Sequence, residues 1–188
     1  MARPKSEDKR SAILSAATRV IASQGLGAPT ATIAREAGVS NGSLFTYFPT
    51  KSDLFNHLYL ELKGEMASVA LEGVLVDGSV REPMLGLWSQ WMHWAASSPE
   101  KRRVLAQLSV SDDITPITRQ AGHETMAGVA KLLERCRERG PMRDSPLPFL
   151  VALMTALAET TVDFMIQDPV HADEHCATAF DALWRMVN

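Results

Sequence analysis

The sequence predicts an all-α protein of nine helices, and three observations support this fold class. Four Ser, Thr or Asp residues stand directly before a proline, at Ser98, Thr115, Ser145 and Asp168. Such a pair is typical of a helix start, because the first side chain accepts a free amide and proline loses no hydrogen bond at the first helical position. Apolar residues also recur at helical spacing, and no alternating stretch bounded by hairpin turns indicates a strand.

Three helices are predicted in the N-terminal part of the chain. The first runs from about residue 6 to residue 24 and ends at a glycine. A second, short helix follows Thr30 and is ended by Gly38, since glycine readily adopts the left-handed backbone conformation. Ser40 is placed to cap a third helix that runs to about Phe48.

Six further helices complete the predicted fold. Thr50 and Asp53 form a capping-box-like start for a long fourth helix, because each can satisfy a free amide near the other. We expect that helix to reach about Val74 and residues 75–80 to form a loop. The other five helices are predicted near residues 81–97, 99–108, 116–139, 146–167 and 169–187.

Composition and charge favour a cytoplasmic globular protein. Hydrophobic residues make up 46% of the chain and charged residues 22%, and its two cysteines are too few for a disulfide framework. We see no signal-peptide run and no stretch of about 18 uncharged apolar residues, so we expect no membrane span. Residues 1–60 carry seven Lys or Arg and four Asp or Glu, whereas residues 61–188 carry twelve and eighteen. A basic N-terminal part on an acidic body is compatible with contacts to phosphate.

The second and third predicted helices have the pattern of a helix-turn-helix. Ala34 is small where the two helices would cross, and Gly38 permits the tight turn between them. Leu44 and Phe48 are spaced to bury the inner face of the third helix. Its outward positions then hold small or neutral hydrogen-bonding groups that can approach base edges and phosphates: Asn41, Gly42, Ser43, Thr46 and Tyr47.

The segment TATIAREAGVSNGSLFTYFPTKSDLF, residues 30–55, resembles the DNA-binding signature of TetR/AcrR-family repressors. That signature is roughly T-x-x-I-A-x-x-A-G-V-S-x-G-x-L-Y-x-[HY]-F-x-[SN]-K-[ED]-x-L, and the strong match covers about residues 10–60. Phe45 departs from it, because the family usually has tyrosine at that position. The resemblance implies a homodimer that binds a double-stranded DNA operator and responds to a small-molecule effector that the sequence does not identify.

The resemblance also implies roles for individual residues. Thr30 would cap the second helix and touch a phosphate, and Asn41 and Gly42 would lie nearest the bases. Tyr47 and Lys51 would hold phosphates. The expected DNA-binding set is therefore Thr30, Ser40, Asn41, Gly42, Ser43, Phe45, Thr46, Tyr47 and Lys51.

Two domains follow from the resemblance: a helix-turn-helix DNA-binding domain over residues 1–52, and an effector-binding and dimerisation domain over residues 53–188. In the second domain, Trp88, Trp91 and Met92 share one helical stripe. Aromatic and methionine side chains suit a flexible, mostly apolar ligand, although plain core packing explains them equally well. The expected ligand pocket consists of Trp88, Trp91, Met92, Met126, Met154, Leu157, Thr161 and Phe164.

Small and polar residues recur along the penultimate helix at Ala152, Ala156, Thr160 and Asp163. Small side chains permit close approach between helices, and in the family the last two helices pair with those of a second copy. These four residues are therefore the expected dimer interface.

The segment HADEH, with His171 and His175, offers a different function. It matches the H-x-x-E-H pattern of a zinc hydrolase, and both imidazoles would lie on one helix face. No third ligand accompanies the pair, so we expect neither a structural metal nor a cofactor. The alternatives to a ligand-responsive repressor are therefore a helical metal-dependent hydrolase and a regulator that lacks a small-molecule ligand.

Overall fold

Helices supply all the regular secondary structure in the computed structural model, which describes residues 4–74 and 79–188. The prediction of an all-α fold is therefore confirmed over these ranges. The described residues form ten α-helices and one 3-10 turn: α1 Pro4–Gln24, α2 Thr30–Glu36, α3 Asn41–Tyr47, α4 Lys51–Leu71, α5 Arg81–Ser97, α6 Pro99–Ser109, α7 Pro116–Thr125, α8 Ala127–Arg137, α9 Leu147–Gln167, the turn Pro169–His171 and α10 Ala172–Val187.

One more helix forms than the sequence predicted, because the segment expected as a single helix at 116–139 is two. Met126, at φ −92° and ψ 8°, leaves the helical conformation between α7 and α8. Gly122 and Gly128 flank the break, and glycine has a low helix propensity. The apolar spacing continues across Met126, which is why periodicity alone missed the interruption. The loop expected at 75–80 falls largely outside the described residues, since residues 75–78 are among those not described.

The proline-based helix starts are confirmed at two positions and differ in detail at two others. α6 and α7 begin at Pro99 and Pro116, and Thr115 Oγ1 accepts a hydrogen bond from the amide of Thr118 at 3.2 Å. Pro146 instead precedes α9 as its N-cap residue. Pro169 opens the 3-10 turn, and α10 begins only at Ala172.

The chain divides into two compact units, and their boundary falls within α4. The first unit comprises the described residues up to Gly64 together with Pro99–Glu124. Its core contains Ile13, Leu14 and Ile21 of α1, all 0% exposed, and α1 packs against α2 and α6. The functional boundary expected between residues 52 and 53 is a separate matter and stays a prediction.

The second unit comprises the described residues of Glu65–Ser98 and Thr125–Asn188. Within it α5 packs on α8, α9 and α10, and α9 packs on α10. The buried residues of α9 line one side of the helix: Leu150, Met154, Ala158, Thr161, Val162 and Met165.

The helix α9 is the segment that bears on the sequence-based expectation of no membrane span. Leu147–Gln167 is long and apolar enough, by length and composition, to cross a membrane. The sequence criterion demanded an uncharged run, and Glu159 and Asp163 interrupt this one. Only 33% of the helix's most apolar window is buried in the structure, so most residues of that window keep some exposed surface within the described chain.

Candidate nucleic-acid interface

The helix-turn-helix forms as the sequence predicted, with Gly38 at the turn. Gly38 has φ +69°, a conformation that costs other residues roughly 1–2 kcal/mol. A hydrogen bond from the amide of Val39 to the carbonyl oxygen of Ala34, at 2.9 Å, ties the turn to α2. Ile33 and Ala34 are buried against the rest of the first unit. The turn therefore fixes the angle between α2 and α3.

The recognition helix α3 has one buried side and one exposed side. Leu44 and the adjoining Phe48 are 0% exposed, four residues apart and thus on one helical face. The predicted DNA-facing residues Asn41, Gly42 and Thr46 are exposed. Ser43 and Tyr47, also in the predicted set, are half-buried at the edges of that exposed side.

The start of α3 is capped as predicted. The hydroxyl oxygen of Ser40 accepts a hydrogen bond from the amide of Ser43 at 3.1 Å, which satisfies one of the free amides at the helix end. Further along, the Thr46 hydroxyl donates to the carbonyl oxygen of Gly42 at 3.2 Å. The Thr46 proton is therefore used within the helix, and its oxygen is left as an acceptor.

The predicted capping role of Thr30 is wrong. Thr30 is the first residue of α2, and Pro29 occupies the N-cap position with φ −66° and ψ 139° and no side-chain cap. The proline carbonyl accepts the amide of Thr32 at 3.0 Å instead. Because proline favours this extended conformation before a helix, the helix starts one residue earlier than the threonine signal indicated.

Lys51 is the first residue of α4 and follows the last residue of α3 by four positions. The predicted capping box is present: Thr50 and Asp53 exchange hydrogen bonds, with the Asp53 amide donating to Thr50 Oγ1 at 3.0 Å and the Thr50 amide donating to Asp53 Oδ2 at 3.0 Å. The ammonium of Lys51 lies 5.4 Å from the ring centroid of Phe55, within the range of a cation–π contact. The capped start of α4 thus carries a positive charge a few residues after α3.

A second anchor for the start of α4 has no local pattern in the sequence. Asn56 donates to the carbonyl oxygen of Asp113 at 2.8 Å and accepts from the amide of Thr115 at 3.0 Å. The Ser52 hydroxyl donates to the same Asp113 oxygen at 3.0 Å. These bonds join residues 57 to 61 positions apart, so no local pattern announces them. They tie the start of α4 to the loop between α6 and α7 within the first unit.

The residues of the expected ligand pocket lie in the second unit, where half of them are buried. Trp88 and Met92 are 0% exposed, Met154 is 3% and Thr161 is 5%. The Trp88 indole donates to the Cys176 carbonyl oxygen at 3.1 Å. Trp91, Met126 and Leu157 are partly buried.

Phe164 does not join that buried set. Its side chain is 52% exposed and its ring centroid lies 5.8 Å from that of His175. On α9 it is rotated by about 100° from the buried Met165, which explains the difference. Trp94 is not among the expected pocket residues, yet it is only 7% exposed and donates to Glu65 Oε1 at 3.0 Å.

An open groove of about 230 Å³ in the second unit offers a different concave surface. None of the expected pocket residues lines it. Its lining residues are Gly73, Val74, Glu82, Pro83, Gly86 and Gln90.

The four expected dimer residues are all exposed. Ala152, Ala156, Thr160 and Asp163 lie on the side of α9 opposite its buried residues. Large apolar side chains accompany them on the exposed surface of this helix: Phe149 is 53% exposed, Phe164 52% and Ile166 44%. Exposed apolar surface of this kind often marks an interaction site.

His171 and His175 converge on one carboxylate. Asp168 Oδ2 lies 2.9 Å from His171 Nδ1 and 3.2 Å from His175 Nε2. The hydrogen bond from His171, with a smaller one from His175, lowers the pKa of Asp168 below its usual value. Among the described residues, no group of three His, Cys, Asp or Glu side chains is arranged to hold a metal ion.

Comparison with known proteins agrees with this geometry. The model of the family described as bacterial regulatory proteins, tetR family, matches residues 13–58. A tetR family transcription regulator from Shewanella sp. PV-4 is 29% identical over 94% of this chain and 96% of its own, with a TM-score of 0.83. A TetR family transcription regulator from Marinobacter aquaeolei VT8 is 24% identical over 98% of both chains, with a TM-score of 0.88. The regulator FadR from Bacillus subtilis, solved with stearoyl-CoA, has a TM-score of 0.71 at 18% identity over 95% of this chain and 99% of its own.

Proposed function

Because the chain belongs to the TetR family of bacterial regulatory proteins and is thus a DNA-binding transcription regulator, we propose that it is a cytoplasmic, homodimeric repressor released from a palindromic operator by a small, largely apolar ligand. A regulator of this family is not an enzyme, so the hydrolase alternative for His171 and His175 is set aside. The observation that carries the proposal is the two-sided recognition helix α3.

The exposed side of α3 has the chemistry of a base-reading surface. It carries no charged side chain between Asn41 and Tyr47, so the helix can lie close to base edges without burying an unpaired charge. Asn41 stands at its first turn with an exposed amide group, which suits the paired donor and acceptor of adenine in the major groove. The proposed phosphate contacts are Tyr47, the last residue of α3, and Lys51, the first residue of α4.

Replacing Lys51 with alanine should weaken binding to all duplex sequences alike. Each neutralised phosphate contributes about 0.9 to the slope of log K against log salt, so a dimer that loses two lysine contacts should lose about 1.8 from that slope. The measurement is fluorescence anisotropy of a labelled duplex at several salt concentrations. Lys131→Ala, which removes an exposed lysine from α8, should leave the slope unchanged. An unaltered slope for the Lys51 variant would remove this residue from the phosphate contacts.

The dimer is proposed through the exposed side of α9. Only 33% of the most apolar window of α9 is buried. Leaving the exposed apolar surface of this helix in water costs roughly 25 cal/mol for each Å². The small side chains of Ala152 and Ala156 allow another helix to approach closely. A second copy of the same helix satisfies both requirements, as isologous interfaces commonly do.

The ligand is proposed from the buried cluster in the second unit. Trp88, Trp91 and Met92 belong to α5, and Met154 and Thr161 belong to α9, which packs against α5. Aromatic and thioether groups of this kind suit a flexible apolar molecule. The FadR protein was solved with stearoyl-CoA, a ligand with a long apolar chain. Since Trp88 and Met92 are fully buried, a ligand must bind a conformation in which they have moved apart.

We expect the ligand and the operator to weaken each other's binding by the same factor. A preference of about 1–3 kcal/mol for the DNA-incompetent state gives roughly 5- to 150-fold coupling, and linkage makes that factor reciprocal. Tryptophan fluorescence titration with long-chain fatty acids and their thioesters, with and without operator, measures both affinities. Equal ligand affinity in the two titrations would contradict induction and favour a regulator without a small-molecule ligand.

The proposed function is tested by recovering genomic duplex fragments on the purified protein and sequencing them. We expect a shared palindromic motif with half-sites about one helical turn apart, or further apart if the site is long. Fragments without any shared motif would contradict a sequence-specific regulator.

A further inference from the structure

Phe45 is an apolar residue on the polar side of α3. It is 38% exposed, whereas Phe48, three residues later, is 0% exposed. Of the large apolar side chains that the structure records as exposed, only Phe45 lies within the helix-turn-helix. A phenyl ring held in water on a DNA-facing helix gains free energy when another apolar group covers it.

The neighbours of Phe45 divide the exposed side of α3 into a polar part and an apolar part. Asn41 lies one turn earlier, at four-residue spacing, and therefore on the same row of side chains. Thr46 is adjacent, but its hydroxyl proton is donated to the Gly42 carbonyl oxygen at 3.2 Å. On this row, Asn41 is thus the residue that can hydrogen-bond to a base edge, and Phe45 offers only apolar contact.

A phenyl ring can recognise one group in the major groove. Hydrogen-bond donors and acceptors distinguish most base edges there, and the C5-methyl group of thymine is the apolar exception. Phe45 has no hydroxyl with which to reach a phosphate oxygen, so its contact carries sequence information. We infer that Phe45 is a specificity-determining residue that packs against the methyl group of a thymine in each operator half-site.

The position of that thymine follows from helix geometry. One turn of α3 separates Asn41 from Phe45, about 5.4 Å along the helix axis, and successive base pairs are about 3.4 Å apart. The thymine should therefore lie one or two base pairs from the base that Asn41 reads. If Asn41 pairs with adenine, each half-site holds an adenine and a thymine at this spacing.

This inference rests on the proposed function, and its test begins with a duplex selected from a random library by the wild-type protein. Each thymine of one half-site is then replaced in turn by deoxyuridine, which lacks only the C5-methyl group. The dissociation constant of each duplex is measured for the wild type, for Phe45→Ala and for Val110→Ala. The last variant removes exposed apolar surface of the first unit outside α3.

We expect one thymine whose replacement weakens wild-type binding about fourfold, the equivalent of about 0.8 kcal/mol for one buried methyl group. Phe45→Ala should bind the unmodified duplex more weakly and be indifferent to that replacement, while Val110→Ala should respond as the wild type does. Sensitivity that persists in Phe45→Ala, or no sensitive thymine at all, would overturn the inference while leaving the regulator intact. If no duplex is selected, the proposed function fails, and the inference fails with it.

Discussion

Ala156→Arg should convert the protein to a monomer that no longer holds its operator. Ala156 lies on the exposed side of α9, opposite the buried residues of that helix, so the chain itself has room for the longer side chain. In the proposed dimer the same position faces a second copy, and two guanidinium groups would be buried without partners. An unpaired buried charge costs several kcal/mol, and loss of one half-site should lower operator affinity by about 100-fold or more.

Light scattering measures the mass, and anisotropy with the selected duplex measures the affinity. Ala106→Arg is the matched control, because Ala106 is an exposed alanine on α6 in the first unit and the same charge there should leave a dimer that binds. A folded dimer of the Ala156 variant would place the interface on a different surface.

Phe48→Ala should destabilise the protein far more than Phe45→Ala, although the two residues are neighbours in sequence. Phe48 is fully buried beneath α3, with the guanidinium carbon of Arg10 5.6 Å from its ring centroid and the ring of His57 at 5.4 Å. Truncating a buried phenylalanine costs about 3–5 kcal/mol, which corresponds to a fall of about 10 °C in melting temperature. The exposed Phe45 should change stability by about 0.5 kcal/mol or less.

Thermal unfolding followed by circular dichroism compares the two variants under identical conditions. DNA binding should be lost in Phe48→Ala, because the variant disrupts the helix that carries the base-contacting residues. It should only be weakened in Phe45→Ala, which keeps the helix and loses one contact. Equal melting temperatures for the two variants would mean that the buried and exposed sides of α3 have been assigned incorrectly.

Local signals explain why the helix-turn-helix was predictable from the sequence. The turn depends on Gly38, whose positive φ few other residues tolerate, and the third helix depends on a serine cap that lies three residues from its amide donor. The burial of Leu44 and Phe48 is likewise predicted by their spacing of four residues. The exception is the predicted capping role of Thr30. Two local signals for a helix start compete there, and Pro29 occupies the N-cap position instead.

The features that the sequence does not predict depend on contacts between residues far apart in the chain. The anchor of Asn56 on Asp113 and Thr115 spans more than fifty residues, so no window of sequence contains it. Trp94 lies outside the stripe of Trp88 and Trp91, and its indole donates to Glu65, 29 positions earlier in the same unit. Which apolar side of α9 faces the core and which stays exposed is likewise decided by α5 and α10, not by α9 alone.

The measurement that tests the central claim most directly is the mass and footprint of the complex on its selected duplex. Native mass spectrometry counts the chains, and hydroxyl-radical footprinting maps the protected backbone. The account predicts two chains on each palindrome, or four if two dimers share the site, with protection symmetric about its centre. A single chain on the duplex, or binding that does not discriminate the selected sequence from a scrambled one, would contradict a dimeric regulator that reads DNA through α3.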